Sequence, residues 1–402
     1  MPNTEIKQID DSPTTETAKT ITRRILLGAL EVHASDIHIE PYEDRVRLRY
    51  RVDGELRECD PIPKNEQNGV IAQLKTLCGC NPEEHRLPQD GRMRIRAEGR
   101  DVDWRLGFMP SAYGEGVVLR LLEKYNTYLD LNKFGFDGQP LDALNRALQK
   151  PHGLIIVAGP TGSGKSTTLY AVLNKLNTPT RKIVSLEDPI EYYLDGVMQT
   201  QIHAEIGLTF SEAMRQTLRH DPDVILLGEI RDAETADIAV KAAITGRLVL
   251  TILHANDAAG VFQRLIDVGV EPFLVQSAMT LSVAQRLLRR VCGECRENSD
   301  IPKDVLNKVQ FMSQENGDKP TFVRGRGCAA CRNTGYKGRI AVIEALENAP
   351  EIGELLLQGA PSQEIKKLAV KRGMRTLRQN ALAKAAQGVT TIEQVLEVTS
   401  PD

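Results

Sequence analysis

The residues with the clearest chemical pattern run from Gly159 to Thr167. An apolar stretch at 154–158 leads into this glycine-rich turn, and a segment compatible with a helix follows it. The turn matches the Walker A pattern, in which successive backbone N–H groups and the start of the next helix bind phosphate oxygens. The nucleotide-binding residues that the pattern predicts are Gly159, Pro160, Thr161, Gly162, Ser163, Gly164, Lys165, Ser166 and Thr167.

Two side chains of this turn have separate roles in the chemistry. A lysine at the position of Lys165 reaches the β- and γ-phosphates, and a hydroxyl at the position of Ser166 binds Mg²⁺. The alternative is a Gly/Ser loop that matches the pattern by chance, but the apolar strand before it and the helix after it favour a phosphate loop. The sequence therefore predicts a nucleoside triphosphate as the ligand and Mg²⁺ as its metal ion.

Hydrolysis also needs a carboxylate that orients water and positive charge on the γ-phosphate. Three further apolar runs, at 183–186, 223–228 and 248–253, end in polar residues. Glu229 follows the second run, and we expect it to polarise the attacking water. The reason is that carboxylates at the carboxyl edge of a parallel sheet face the ligand crevice.

The first and third of these runs end in further candidates. Glu187, Asp188 and Glu191 form an acidic group, and Mg²⁺ with its waters is the simplest explanation for it. We therefore expect Asp188 to bind Mg²⁺ together with Ser166, and Glu187 to be a catalytic residue. His254 follows the third run. It either contacts the γ-phosphate or is an ordinary structural hydrogen-bond partner, and both interpretations stay open.

Four of the seven cysteines form two Cys-x-x-Cys pairs. Two such pairs give the spacing of a tetrahedral structural Zn²⁺ site, although the gap between them is longer than usual. The alternatives are buried thiols without a metal, or a redox pair. The predicted zinc ligands are Cys292, Cys295, Cys328 and Cys331, whereas Cys59, Cys78 and Cys80 form no second set of pairs and are interpreted as ordinary.

The composition argues against some classes of function. The 402 residues include 51 basic and 54 acidic side chains, a formal net charge of −3, so the overall positive charge typical of nucleic-acid binding is absent. The first twenty residues are polar, and no segment approaches about 18 consecutive apolar residues. We therefore expect a cytoplasmic protein that neither inserts into a membrane nor binds nucleic acid.

The residues before the phosphate loop predict a small α+β domain at 16–125, after a disordered tail at 1–15. Helical spacing of apolar residues indicates helices over 17–31 and 68–77. The segment 45–52 alternates between apolar residues and arginines, as in a half-buried strand, and a hairpin is expected around Glu98-Gly99. The arginines either face solvent or approach a nucleotide on a neighbouring subunit.

The rest of the chain divides into four expected parts. Residues 126–150 are interpreted as a linker that contains a helical piece through Leu148. Residues 151–288 are interpreted as a doubly wound α/β domain, because short apolar strands alternate with helix-length segments. Residues 289–340 form the zinc-binding segment. Residues 341–402 are expected to be helical, with a capping box of Thr390 and Glu393.

Several linked motifs closely resemble those of the secretion ATPase superfamily, and within it those of the type II secretion E-protein and type IV pilus assembly ATPase group. The resemblance covers the chain from about Thr17 to its end. The motifs that carry it are the Walker A turn, the acidic segment 187–191, the segment 218–223 that runs into 228–232, the segment 253–257 and the tetracysteine segment.

The resemblance implies a fold and a set of site residues. The fold is a RecA-like α/β P-loop ATPase domain preceded by a PAS-like α+β domain, with a zinc-bearing insertion and C-terminal helices. In that family Glu229 is the Walker B glutamate, His254 lies in the His box, and 187–191 is the Asp box. The family arginines that reach the γ-phosphate fall on Arg105, Arg120, Arg215 and Arg219.

The resemblance also implies a function and partners. It implies a homo-hexameric cytoplasmic ATPase that holds nucleotide between two domains and works at the inner membrane through platform proteins. Its domain rotation would power assembly of a type II secretion pseudopilus or a type IV pilus. Members usually carry a further N-terminal docking domain, whereas only a polar tail precedes the first domain here. The sequence therefore gives no basis for expecting membrane recruitment by the route that is usual in this family.

Two alternatives from other classes stay open. One is a motor for DNA uptake or conjugation, which predicts a basic channel interleaved with aromatic residues, although aromatics make up only 4% of the chain. The other is a nucleotide-dependent regulatory scaffold with little turnover. The presence of both Lys165 and Glu229 argues against the scaffold.

Overall fold

A computed structural model describes residues 17–97, 99–122, 130–191, 193–308 and 320–401. The chain divides into two compact units, Met1–Tyr125 and Asn126–Asp402. The disordered tail expected at 1–15 lies outside the described residues, as does Glu98 of the expected hairpin turn.

The described residues of the first unit form a six-stranded antiparallel sheet with two helices. Apolar residues of both helices and all six strands make one core around the fully buried Trp104. In the expected strand at 45–52 the burial alternates, with the apolar side chains buried and the arginines between them half-buried. The sheet order is β3-β2-β1-β6-β5-β4, and the elements are α1 (Ala18–Glu31), β1 (Asp36–Pro41), β2 (Val46–Val52), β3 (Glu55–Ile62), α2 (Gln67–Cys78), β4 (Gln89–Ala97), β5 (Arg100–Ser111) and β6 (Gly114–Leu122).

The second unit is a seven-stranded sheet with helices on both faces, as far as the structure describes it. Its first half alternates helices and strands as the sequence predicts, which confirms the mixed α/β class. The elements are α3 (Leu131–Phe134), α4 (Gly138–Gln149), β7 (Gly153–Ala158), α5 (Lys165–Leu176), β8 (Ile183–Glu187), β9 (Val197–Gln201), α6 (Phe210–Thr217), β10 (Val224–Leu227), α7 (Ala233–Ile244) and β11 (Leu248–Leu253).

The second half of this unit completes the sheet and adds the cysteine segment and the C-terminal helices. Its elements are α8 (Ala258–Asp267), α9 (Pro272–Ala278), β12 (Met279–Val291), β13 (Arg296–Asn298), α10 (Lys303–Lys308), β14 (Val323–Gly325), β15 (Tyr336–Glu347), α11 (Pro350–Leu357), α12 (Ser362–Lys371), α13 (Leu377–Ala386) and α14 (Ile392–Val398).

The strand order places the expected chemistry at one edge of this sheet. The order is β15-β12-β7-β11-β10-β8-β9. The six strands from β12 to β9 in this order run in parallel, and β15 is antiparallel to β12. The carboxyl ends of parallel strands meet at the same edge, where ligands of such sheets bind. Because β11 lies between β7 and β10, the segments that follow these three strands are neighbours.

The helical piece expected within the linker is α4, and together with α3 it packs apolar side chains into the core of the second unit. Two other expectations need correction. The sequence predicts helices throughout 341–402, but β15 continues to Glu347 because it pairs antiparallel with β12. The cap of the last helix is Thr391, which accepts from the Gln394 backbone N–H, rather than a box of Thr390 and Glu393.

Candidate functional site

The phosphate loop connects β7 to α5, and α5 begins at Lys165. Gly159, Gly162 and Gly164 all have positive φ angles, of 151°, 79° and 87°. A Cβ on Gly159 would lie 2.5 Å from the Gln285 carbonyl oxygen, and one on Gly164 would lie 2.8 Å from Gln285 Nε2. The loop therefore needs glycine at these two positions for space as well as for backbone conformation.

Gln285 of β12 holds the phosphate loop in place. Its Nε2 donates to the Ser163 carbonyl at 2.8 Å, and its Oε1 accepts from the Thr168 hydroxyl at 2.7 Å. The side chain is buried. Both ends of one amide are thus bonded to the loop and to the first turn of α5. The sequence motifs do not mark Gln285, because it lies far along the chain and reaches the loop only through sheet pairing.

Lys165 folds back over the phosphate loop. Its Nζ donates to the carbonyls of Gly159 and Pro160, at 2.9 and 2.8 Å. Burial lowers the pKa of Lys165, the nearby Arg286 charge lowers it further, and the Glu229 carboxylate opposes both. Ser166, on the same turn of α5, is exposed. The loop therefore presents a cation and an accessible hydroxyl together, as phosphate and Mg²⁺ binding requires.

Glu229 and His254 meet at the carboxyl edge of the sheet. Glu229 Oε2 lies 3.6 Å from His254 Nε2. The other oxygen of Glu229 accepts from Arg231 Nε at 2.6 Å, and Arg231 also lies 3.3 Å from Asp188. Arg231 belongs to the motif segment 228–232, and its residue type alone indicates no role. The structure makes it the ion-pair partner of the candidate catalytic glutamate.

Glu187 has an interior position at the end of β8. It is buried, and its carboxylate accepts from the Tyr170 hydroxyl, the Ser185 hydroxyl and Gln199 Nε2. These contacts tie β8 to α5 and β9, and they occupy both oxygens of the carboxylate. Among the described residues, Glu187, Asp188 and Glu191 do not converge into a cation-binding group. A catalytic role for Glu187 and an Mg²⁺ site at Asp188 remain predictions.

The two arginines expected from the second unit lie on and after α6. Arg215 forms ion pairs with Glu212 and Glu234, and Arg219 is exposed. Among the described residues, neither has a hydrogen bond or an ion pair with the phosphate loop or with Glu229. Their action on a phosphate remains a prediction.

The other two expected arginines belong to a charged row across the sheet of the first unit. The register places Arg105 directly opposite Arg120, and Arg120 directly opposite Asp36. The row continues to Arg92 beyond Arg105 and to Arg51 beyond Asp36. Residues that face one another on neighbouring strands share a face of the sheet, so four arginines and one aspartate line up on it.

The two expected arginines of this row differ in their partners. Arg120 Nε donates to the buried Asp36 at 2.8 Å, and Arg51 lies 3.7 Å from the same carboxylate. Arg105 lies 3.8 Å from Asp90, a carboxylate that is 72% exposed. Arg120 thus compensates a buried charge, whereas Arg105 has only a weak surface partner.

The four expected cysteines form one cluster. Their sulfur atoms all lie within 4.8 Å of one another. Each Cys-x-x-Cys pair lies on a short turn, one directly before β13 and the other after β14. The Sγ–Sγ distances are 3.9 Å for Cys292–Cys328, 3.8 Å for Cys295–Cys331 and 3.7 Å for Cys328–Cys331. A tetrahedral metal site with sulfur at about 2.3 Å has edges of about 3.8 Å, so the donor set fits one ion.

Hydrogen bonds favour the thiolate form of Cys331, which is the form that binds a metal ion. The backbone amides of Cys328 and Gly335 donate to Cys331 Sγ, each at 3.2 Å. Burial raises the pKa of the Cys331 thiol, but these amide contacts outweigh it and lower the pKa to about 6. Burial raises the pKa of Cys295 to about 12. Metal binding requires the thiolate form, so the ion itself would have to displace the Cys295 proton.

No helix in the described ranges has both the length and the apolar character needed to cross a bilayer.

Comparison with known sequences identifies the family. The family model described as "Type II/IV secretion system protein" matches residues 10–397. The type IV pilus assembly ATPase PilB of Myxococcus xanthus is 43% identical over 398 residues, which are 98% of this chain and 69% of the relative. The type II secretion system protein E of Pseudomonas aeruginosa is 43% identical over 404 residues, 99% of this chain and 78% of the relative. The chain spans 44% of the PilB of Thermus thermophilus, at 42% identity.

Solved structures show the same architecture. The pilus retraction motor PilT with bound ADP matches with a TM-score of 0.65 and 26% identity, covering 94% of this chain and 96% of that one. The ATPase DotB of Legionella pneumophila matches in fold with a TM-score of 0.70 and 22% identity, covering 97% and 98%. The chain therefore belongs to the type II/IV secretion system protein family, and it is one of the ATPases of that family.

Proposed function

We propose that this chain hydrolyses ATP with Mg²⁺ to power assembly of a type II secretion pseudopilus or a type IV pilus. The observation that carries the proposal is the convergence of the phosphate loop, Glu229 and His254 at one edge of a parallel sheet. Relatives named for both processes are similar to this chain at almost the same identity. The proposal therefore keeps both processes and assigns the same chemistry to each.

Glu229 orients and polarises the attacking water in this proposal. The carboxylate is tied on one side to Arg231 and lies near His254 on the other, so its position is set before the substrate binds. Lys165 gives up its two carbonyl contacts to bind the β- and γ-phosphates. Bound Mg²⁺ supplies charge neutralisation on these phosphates, and Ser166 and Asp188 are the residues that would hold it.

Positive charge on the γ-phosphate comes from arginines in this proposal. Arg105 is the strongest candidate of the first unit, because it is half-exposed in a row of arginines and its carboxylate partner is a surface one. Arg120 contributes while it also compensates Asp36. Arg215 and Arg219 are assigned the same task, and for Arg215 this requires release from Glu234.

The metal of the cysteine cluster is Zn²⁺ in this proposal. Four sulfur donors at the edge lengths of a tetrahedron suit zinc in a closed structural site. The ion would fasten the two cysteine turns that separate β12 from β15. Its role is structural, since no position is left for water or substrate.

The proposed assembly is a homo-hexamer at the cytoplasmic face of the inner membrane. Membrane contact is made through platform proteins of the secretion or pilus machinery, and neither nucleic acid nor the bilayer itself is a partner. The family and the named relatives support this assignment. The two alternatives, a DNA motor and a regulatory scaffold, have no observation in the described residues that favours them.

Turnover and assembly state test the proposal together. We would measure Mg²⁺-dependent ATP hydrolysis of the wild type over a range of protein concentrations, and sedimentation velocity with and without ATP in the same buffer. Hydrolysis per chain that rises with concentration, in step with a species of six chains, supports the proposal. Binding of ATP without any turnover, at every concentration and with the platform protein added, would contradict it in favour of the regulatory scaffold.

A further inference from the structure

Arg286 lies beside the phosphate loop although no motif marks it. It follows Gln285 on β12, and β12 pairs in parallel with β7 as far as the pair Ala284 and Ala158. The strand β12 therefore runs on past the end of β7, at the level where the phosphate loop begins. Gln285 at this level is bonded to Ser163 of the loop, which fixes the backbone from which Arg286 extends.

The guanidinium of Arg286 joins two loops of the site. Its Nη1 donates to the Gln285 carbonyl at 3.2 Å, and this is the oxygen that a Cβ on Gly159 would meet at 2.5 Å. Its Nη2 donates to the Asn256 carbonyl at 3.0 Å. Asn256 belongs to the loop that follows β11 and begins with His254. The charge thus lies between the phosphate loop and the loop of His254.

The charge of Arg286 has no carboxylate hydrogen bond among the described residues, since its acceptors there are these two carbonyls. The carboxylates of Asp257 and Glu344 are near enough to act on it electrostatically. Both are engaged elsewhere. Asp257 accepts from the Gly260 amide at 2.8 Å, and Glu344 accepts from the amides that begin α8 and α13, at 2.8 and 3.0 Å. The guanidinium keeps donors that a ligand can use, because it has five N–H groups.

Arg286 and Lys165 are two cations near this loop, and the Glu229 carboxylate also acts on Lys165. The charge of Arg286 lowers the pKa of Lys165, so the two side chains interact as like charges. Burial lowers the pKa of Arg286 as well, against the effect of the two nearby carboxylates. A polyphosphate bound to the loop would relieve both the repulsion and the cost of burial. The Asn256 contact locates Arg286 on the side of Glu229 and His254, where the terminal phosphate of a triphosphate belongs.

We propose that Arg286 is a further catalytic residue of this ATPase, which contacts the γ-phosphate of bound ATP as a second cation of the same chain beside Lys165. The inference rests on the proposed function, since it assumes that the phosphate loop binds ATP. A guanidinium suits this task because its planar donors match phosphate oxygens. The two carbonyl contacts set the orientation of the guanidinium.

Nucleotide affinities separate this role from a structural one. We would measure the dissociation constants of MgATP and MgADP in a Glu229→Gln background, which prevents turnover during the titration. Adding Arg286→Ala should raise the dissociation constant of MgATP about tenfold, as expected for loss of a hydrogen bond to a charged group. The dissociation constant of MgADP should change less than about twofold. Adding Arg286→Lys should give an intermediate loss of MgATP affinity, because lysine keeps the positive charge but lacks the parallel N–H donors of the guanidinium. The exposed Arg290 lies on the same strand, and Arg290→Ala is the matched control that should change neither.

Three results would overturn the inference. Equal losses of affinity for MgATP and MgADP would indicate that Arg286 has a structural role and only holds the two loops together. Unchanged affinity for both nucleotides in Arg286→Ala and Arg286→Lys would remove it from the site. If the background variant with Arg286 intact binds neither nucleotide, the proposed function falls together with this inference. If the background variant binds both nucleotides and replacement of Arg286 changes neither affinity, the inference about Arg286 fails and the proposed function is unaffected.

Discussion

Glu229 Oε2 lies 3.6 Å from His254 Nε2, because each residue follows the end of one of two neighbouring parallel strands. Arg231 holds the other oxygen of the glutamate at 2.6 Å. The glutamate is therefore held by Arg231 and lies beside His254. This arrangement suits a group that must orient water, since its position is set in advance.

Replacement of His254 tests whether this contact is functional. We expect His254→Ala to lower kcat about tenfold or more and to leave the dissociation constant of MgATP nearly unchanged, because the histidine acts at the γ-phosphate end of the site. Steady-state kinetics and equilibrium binding on the same preparation check this. His203→Ala is the matched control, since His203 is a surface histidine paired with Glu205. A His254 variant with wild-type kcat would leave only the structural interpretation.

Replacement of Gln285 tests the support of the phosphate loop. The Gln285→Ala variant leaves the Ser163 carbonyl and the Thr168 hydroxyl without their shared partner. An unmade buried hydrogen bond costs about 1–3 kcal/mol, so we expect a lower melting temperature and at least tenfold weaker nucleotide binding. The exposed Gln387 supplies the control variant Gln387→Ala. Wild-type affinity for MgATP in Gln285→Ala would show that the loop holds its shape without this amide.

Replacement of Arg105 tests the charged row of the first unit. Surface substitutions of this kind usually change stability by less than about 0.5 kcal/mol, so we expect Arg105→Ala to fold as the wild type does. We expect its ATP turnover to fall at least tenfold, because it removes positive charge from the proposed site. Arg96→Ala, an exposed arginine of β4, is the control for the assay. Equal turnover in both variants would exclude Arg105 from the site. Replacement of Arg120 would be harder to interpret, because it also removes the ion-pair partner of the buried Asp36.

Metal removal tests the cysteine cluster. We expect one zinc ion per chain by elemental analysis, and we expect Cys328→Ser to lose most of it because three thiolates bind more weakly than four. A strong chelator should lower the melting temperature, since metal binding stabilises the folded state. Cys59→Ser, outside the cluster, should keep both the metal and the melting temperature. A wild-type protein that contains no metal after purification without chelators would contradict the zinc assignment.

The parts of the site that sequence predicts well are local in the chain. The phosphate loop, the start of α5 at Lys165 and the two cysteine pairs depend on spacings of a few residues, which sequence displays directly. Glu229 and His254 are candidates from the sequence because each follows an apolar run. The family resemblance supplied the candidate arginines, which spacing alone does not distinguish from ordinary surface charge.

The parts that sequence misses depend on contacts between distant segments. Gln285 and Arg286 reach the phosphate loop only because β12 pairs with β7, and nothing in the local pattern marks them. The strand β15 was read as the start of the helical part, because a short apolar run looks the same in a buried strand and a buried helix. Sequence also does not show that the carboxylate of Glu187 accepts hydrogen bonds from Tyr170, Ser185 and Gln199, so its catalytic role stays a prediction.

The role of this sheet edge in ATP hydrolysis is tested most directly by comparing the wild type with Glu229→Gln in one preparation series, by MgATP binding and by ATP hydrolysis. We expect both proteins to bind MgATP with similar affinity and the variant to hydrolyse it at least a hundredfold more slowly, because it lacks the group that polarises water. Lys165→Ala should lose binding and hydrolysis together. Hydrolysis by Glu229→Gln at the wild-type rate would contradict the central claim that this sheet edge carries out the chemistry.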